Sequence, residues 1–145
     1  MYKVEHIGIA VKSLQQSDLL FQRLLGISPY KREYVADQLV TTSFFMSGNV
    51  KVELLEATDP DSPIQKFLER RGEGIHHLAF EVADIRAEMT RLAAEGFQLL
   101  QEQPVKGADN KWVCFIHPRS ANGVLIELCQ TIEEDSKLVT DALES

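Results

Sequence analysis

Gly74-Ile75-His76-His77-Leu78-Ala79-Phe80-Glu81-Val82 decides the reading of this chain, because it repeats an earlier stretch, Glu5-His6-Ile7-Gly8-Ile9-Ala10-Val11. In both places a histidine opens a short apolar run with the composition of a β-strand. In both, a helical stretch follows and then three more strand-like runs. The last run of each half carries a glutamate among apolar residues: Glu53 in Val52-Glu53-Leu54-Leu55, and Glu127 in Leu125-Ile126-Glu127-Leu128. Histidine and glutamate stand 47 positions apart in the first copy and 50 in the second. One imidazole and one carboxylate per copy predict a single site assembled from both, since four such groups make a cage for a metal ion.

Working outward from these anchors, residues 2–11 form a predicted strand with His6, Gly8 and Ala10 on one face and Ile7, Ile9 and Val11 on the other. Ser13 is placed to cap a helix with an apolar stripe of Leu14, Phe21, Leu24 and Leu25, ended by Gly26. Strands over 29–36, 39–47 and 50–56, the last two joined by a Gly48-Asn49 turn, complete a first module of about residues 2–56. The connector of about 57–73 carries Asp, Ser and Pro ahead of a short helix over 62–71. The second module, about 74–131, repeats the plan. A strand over 75–82 leads to Asp84 as N-cap, and a helix over 85–95 carries Ile85, Met89 and Leu92 on one face. Strands are predicted at 97–101, 111–116 and 123–130, separated by a polar loop, 102–110, and a turn, 117–123. The acidic tail, 132–145, suits a short surface helix or no fixed structure equally.

Each copy is therefore βαβββ, which leaves a concave face and a sheet edge uncovered. The fold class is α+β: two tandem βαβββ modules forming a curved, half-closed, antiparallel-rich sheet around a metal site, in a single domain, 1–145. A chain of 145 residues with 44% hydrophobic and 26% charged residues suits one soluble globular domain. The net charge of −7 argues against nucleic acid and anionic membranes as partners. No signal peptide or bilayer-length apolar run is visible, and a cytoplasmic location is expected. Cys114 and Cys129 lie in apolar strand-like runs without metal or redox spacing, as buried reduced thiols do.

His6 and His77 begin equivalent strands, so pairing the modules can bring them together. His76 is the rival to His77; aligning the two repeats selects His77 and turns His76 to the other face. Glu53 and Glu127 sit in runs suited to burial, where an unpaired carboxylate is costly. A divalent cation offsets both charges, and two imidazoles with two carboxylates suit Zn, Co, Ni, Mn or Fe(II), with coordination positions left for substrate oxygens. Lys106, Lys111 and Arg119 lie in or beside the second-module loops. They read either as solvated loop charges or as a phosphate grip at the mouth of the site. His117 shapes its turn.

Taken together, these segments resemble the vicinal oxygen chelate superfamily, which includes glyoxalase I, ring-cleaving dioxygenases and antibiotic-resistance proteins. The resemblance covers residues 4–131. The finer similarity is to the methylmalonyl-CoA epimerases. It is carried by His6-Ile-Gly-Ile-Ala-Val11, Val52-Glu-Leu-Leu-Glu56, Ser62-Pro-Ile-Gln-Lys-Phe-Leu68, Gly72-Glu-Gly-Ile-His-His-Leu-Ala-Phe80 and His117-Pro-Arg-Ser-Ala-Asn-Gly-Val-Leu-Ile-Glu-Leu128. The resemblance implies one divalent ion per chain (Co, Zn, Mn or Ni) on His6, Glu53, His77 and Glu127. It also implies an acyl-CoA substrate, with Lys106, Lys111, Arg119 and Ser120 as candidate contacts, and a homodimer. Some epimerases carry a glutamine at the place of Glu53. Some carry a second acid/base glutamate where Thr42 stands, and a threonine cannot take a proton from carbon at neutral pH. The expected reaction is metal-dependent epimerisation by α-proton abstraction, with Glu127 as one base and Glu53, by symmetry, as the other. Glyoxalase I, acting on a glutathione hemithioacetal, and a non-catalytic binding protein of the same fold are the alternatives. The final turn tells against the first and the intact ligand set against the second.

Overall fold

The computed structural model describes residues 1–133. The expectation for the tail lies beyond them, apart from its first two residues. Strand β1 (Lys3–Ala10) is followed by helix α1 (Leu14–Leu25), then β2 (Lys31–Val35), β3 (Val40–Ser47) and β4 (Val50–Ala57). Helix α2 (Pro63–Arg71) leads into β5 (Gly74–Glu81), helix α3 (Ile85–Ala94), β6 (Val105–Lys106), β7 (Lys111–Ile116) and β8 (Ile126–Thr131). All eight strands form one sheet in the order β2-β3-β4-β1-β5-β8-β7-β6. Only β1–β4 and β5–β8 pair in parallel, one such pair in each module. The modules join through the antiparallel seam β1–β5, so the centre of the molecule is a backbone ladder between the two histidine strands.

The helix ends follow local chemistry. Ser13, Ser62 and Asp84 each accept a backbone N–H of the first turn, and Gly26 ends α1 at a φ of 71°, in the left-handed region that glycine enters without a Cβ clash. Helix α1 covers the convex face of the first module, where Leu14 packs with Val11, Phe45 and Leu54. Removing such a side chain, as in Leu14→Ala, costs about 2–5 kcal/mol. The inward stripe is Leu14, Asp18, Phe21 and Leu25, whereas Leu24 is 70% exposed. The predicted stripe was wrong there because Asp18 takes the inward place, paired with Arg32 of β2 at 2.6 Å. Helix α3 covers the second module, its Ile85, Met89 and Leu92 packing on Cys114, Ile116 and Leu128. Both cysteines are buried and free. No helix among the described residues is long and apolar enough to cross a membrane.

Two strand expectations need correction. Residues 97–101 reduce to a single bridge, Leu99 with Ile116, and the sixth strand is Val105–Lys106, inside the predicted loop. The Gln101 side chain accepts the Phe115 N–H at 2.7 Å, taking the place of a ladder carbonyl. The last strand begins at Ile126, because the turn over 117–123 runs through a single 3-10 turn, Pro118–Ser120, before the chain rejoins the sheet. His117 Nδ1 accepts the Arg119 N–H at 3.0 Å within that turn.

The sheet curls until its two ends meet. Asp109, in the β6–β7 loop, reaches the opposite end of the sheet: its carboxylate lies 2.6 Å from Lys31 Nζ, 2.6 Å from Lys51 Nζ and 2.9 Å from Tyr30 Oη. Its N–H donates to Glu33 at 3.1 Å. Helix α2 closes another side, Ile64 packing on Ala10, Val40 and Leu55.

Candidate metal centre and catalytic cavity

The curl encloses a cavity of about 280 Å³ whose lining includes His6, Glu53, His77 and Glu127. The register explains why these four converge. Along one line across the sheet, Glu53 of β4 stands beside Gly8 of β1, which faces His77 of β5. Along the next line, His6 of β1 faces Ala79 of β5, which stands beside Glu127 of β8. Each glutamate thus shares a line with the histidine of the other module, with a small residue between. Gly8 is required sterically: a Cβ there would lie 2.2 Å from His77 Cε1, so the imidazole occupies the space a side chain would need.

His6 Nε2 and His77 Nε2 are 2.9 Å apart, and Glu127 Oε2 is 3.2 Å from the first of them. These three residues form one possible ligand group, and Glu5, His6 and Glu53 form another. Glu53 is at the site, but its carboxylate approaches the other ring nitrogen, His6 Nδ1, at 3.1 Å. The structure therefore brings His6, His77 and Glu127 together at one point and Glu53 to the far edge of the same imidazole. All four are buried.

Electrostatics single out the same place. Burial raises the Glu53 carboxyl, Glu127 raises it further, and with His6 opposing, its pKa reaches about 8. Burial raises Glu127 as well, against the opposing field of His6. Burial disfavours charge on His6, but the Glu5 hydrogen bond and the nearby Glu127 and Glu53 outweigh it and lift its pKa to about 9. His77 is pushed well below its ordinary value by burial and by the neighbouring rings. Lys51 is held by Glu5 and Asp109, so two buried carboxylates, Glu53 and Glu127, are left short of positive charge. Converging imidazole nitrogens beside under-compensated carboxylates are a donor set that fits a divalent cation.

The other expected residues fare differently. His76 does not face away: it lines the cavity with His77, their Nδ1 atoms 3.0 Å apart. Burial keeps it neutral, its pKa lowered to about 4. The cause is a β-bulge, for Gly8 pairs with His77 but Ile9 pairs with Ile75, which leaves His76 as the extra residue. Lys111 is not at the cavity mouth; it is buried in β7 with its Nζ 2.6 Å from Thr131 Oγ1. Ser120 Oγ accepts the Gln98 N–H at 3.0 Å, while Lys106 and Arg119 are exposed, and none of these three lines the cavity. Thr42 does line it, fully buried. Glu5 and Lys51, two buried charges behind the His6 ring, were missed, since each reads as an ordinary surface residue of an alternating strand.

The matching family model is the Glyoxalase/Bleomycin resistance protein/Dioxygenase superfamily, over residues 5–115. The chain belongs to this superfamily. It is 39% identical over 127 residues to a mitochondrial methylmalonyl-CoA epimerase of Dictyostelium discoideum, covering 87% of this chain and 76% of that one. It is 38% identical over 130 residues to an ethylmalonyl-CoA/methylmalonyl-CoA epimerase of Cereibacter sphaeroides, covering 88% and 97%. Among solved structures, methylmalonyl-CoA epimerase from Mycobacterium tuberculosis superposes with a TM-score of 0.87 at 34% identity, over 94% of this chain and 91% of that one.

Proposed function

We propose that this superfamily member is an isomerase that interconverts the two epimers of methylmalonyl-CoA with a divalent metal held by His6, His77, Glu127 and Glu53. The observation that carries the reading is the convergence of His6 Nε2, His77 Nε2 and Glu127 on one point of a mostly apolar cavity. Relatives named as epimerases at 38–39% identity support the choice of reaction. The α-proton of a methylmalonyl thioester lies between two carbonyl carbons, and its removal leaves an enolate. When bound, the metal supplies positive charge to the oxygens on which that negative charge develops.

The remaining roles belong to the protein. Glu127 is the base on one face of the α-carbon, because its carboxylate is buried in the cavity wall and burial raises its pKa, which makes it a stronger base than an exposed carboxylate. Glu53, in the line opposite, serves the second face, with a pKa of about 8 that suits returning a proton. Thr42 takes no part in proton transfer. Val40, Leu55, Ile64, Val113 and Phe115 wall the cavity and exclude water from the carbanion. Lys106 and Arg119 keep exposed cationic ends and are the proposed contacts for the CoA phosphates; the burial of Lys111 removes it from that role. We further propose a cytoplasmic homodimer, on the ground that β2 and β6 remain the outer strands of the sheet.

A side-by-side assay tests the reaction. The protein should interconvert the epimers of a methylmalonyl thioester and leave a glutathione hemithioacetal unchanged. Turnover of the hemithioacetal alone would transfer the metal site to glyoxalase chemistry.

A further inference from the structure

Two polar side chains beside the site histidines have no part in the ligand set or the proton transfers above: Glu5, which is buried, and His76, which is half-buried and lines the cavity. Each immediately precedes a site histidine. In a regular strand such a neighbour points to the opposite face. Here the β1–β5 ladder is interrupted twice: between Val4 and His6, where Glu5 is the extra residue, and between Gly8 and Ile9, where the partner strand carries His76 as the extra residue. A bulge turns two successive side chains toward one face, so each histidine arrives with its predecessor against its ring.

The first pair is the more specific. Glu5 Oε1 lies 2.9 Å from His6 Nδ1 in hydrogen-bond geometry. The same carboxylate is anchored from behind by Lys51 Nζ, 3.2 Å from Oε1 and 3.1 Å from Oε2, with Lys111 Nζ at 3.9 Å. Lys51 is itself fixed by Asp109 at 2.6 Å. Glu53 also comes within 3.1 Å of His6 Nδ1, but without hydrogen-bond alignment and, among the described residues, with no lysine within ion-pair distance. The single Nδ1 proton serves one acceptor, and the one built to hold it is Glu5.

We propose that Glu5 is the positioning residue of the metal centre: by accepting the His6 Nδ1–H it keeps the ring orientation and leaves Nε2 as the lone-pair donor toward the cation. An imidazole ligates through one nitrogen only when its proton is held on the other, and a carboxylate at that second nitrogen makes the first a stronger donor. The arrangement also releases Glu53 from the Nδ1 edge, so its carboxylate is free to complete the ligand set. This rests on the metal reading of the preceding subsection.

The test uses the intact metal-free protein and Co(II). Competition against a chromophoric chelator reads affinity, and imidazole-tuned proton–nitrogen correlation spectra read the His6 Nδ1–H. Wild type should bind Co(II) and show a slowly exchanging, far-downfield Nδ1–H. In Glu5→Gln the affinity should fall by about 10–100-fold and the proton should move upfield and exchange faster. If the loss of one of Lys51's two carboxylate partners destabilises that variant, Glu5→Gln with Lys51→Met removes both charges of the pair and is read the same way. A purely structural role for Glu5 would lower the melting temperature and leave the Co(II) affinity of the folded variant at the wild-type value, which overturns the proposal. A wild type that takes up no Co(II) would overturn the ligand reading itself, and that failure shows in the parent protein, not in the comparison.

Discussion

In the first module the residue ahead of the site histidine is an anion, Glu5, held by two lysines; in the second it is His76, neutral and packed edge-on against Phe67 at a centroid distance of 5.0 Å. The residues between the paired ligands differ as well, Gly8 in one line across the sheet and Ala79 in the other. A tandem repeat placed the two imidazoles and two carboxylates by one backbone route, and the halves then diverged in what supports each ring. His6 sits among carboxylates and holds its proton to about pH 9, while His77 is kept neutral. Two ligands of the same type can thus have opposite readiness to give up a proton, although they stand on equivalent strands.

The largest effect should come from breaking the carboxylates one module at a time. Glu127→Gln should lower epimerisation by on the order of 10²–10⁴ if the carboxylate is the general base. Glu53→Gln should lower it by a comparable factor, since an amide cannot return the proton on the second face. Steady-state rates with metal content measured on each variant check this, and a Glu53→Gln enzyme with a full metal complement and a near wild-type rate would remove Glu53 from the proton transfers.

The small residues provide the next comparison. Gly8→Ala puts a methyl group where the His77 ring lies, so the ring must move, and the metal affinity should fall by about 10–100-fold. Ala79→Gly should cost only about 0.5–1 kcal/mol of strand stability and leave the affinity alone. Chelator competition beside thermal melts separates the two.

How far the site could be read from the sequence follows from the same residues. The repeat of histidine and glutamate located His6, Glu53, His77 and Glu127, because strand parity and the repeat pattern carry that information. Glu5 and His76 were not legible, since a β-bulge reverses parity without any residue that announces it. Lys51 and Lys111 read as surface charges because burial of a lysine depends on a partner far along the chain, Glu5 in the case of Lys51. The apolar run at 97–101 had strand composition, but a side-chain amide from Gln101 took over the ladder bond that would have defined it.

The proton difference between the halves gives a pH signature. Below about pH 9 His6 carries a proton that a cation must displace, whereas His77 has none to lose. The apparent metal affinity should therefore rise by at least about tenfold per unit between pH 7 and 9. Affinity that is flat over that range would mean that His6 is already neutral. The smallest effect is expected at Thr42→Ala, which should leave the rate within about threefold of wild type, since a hydroxyl there has no proton to exchange with carbon. A large loss would place Thr42 in the chemistry after all.

The central claim is that both modules build one metal site. The most direct test is metal stoichiometry after removal of bound ions and dialysis against Co(II), for wild type, His6→Gln and His77→Gln. The account expects about one ion per chain in wild type and near-complete loss in each single-module variant, because neither half holds a full ligand set. Retention of the full ion in either variant, or no ion in the wild type, would contradict it.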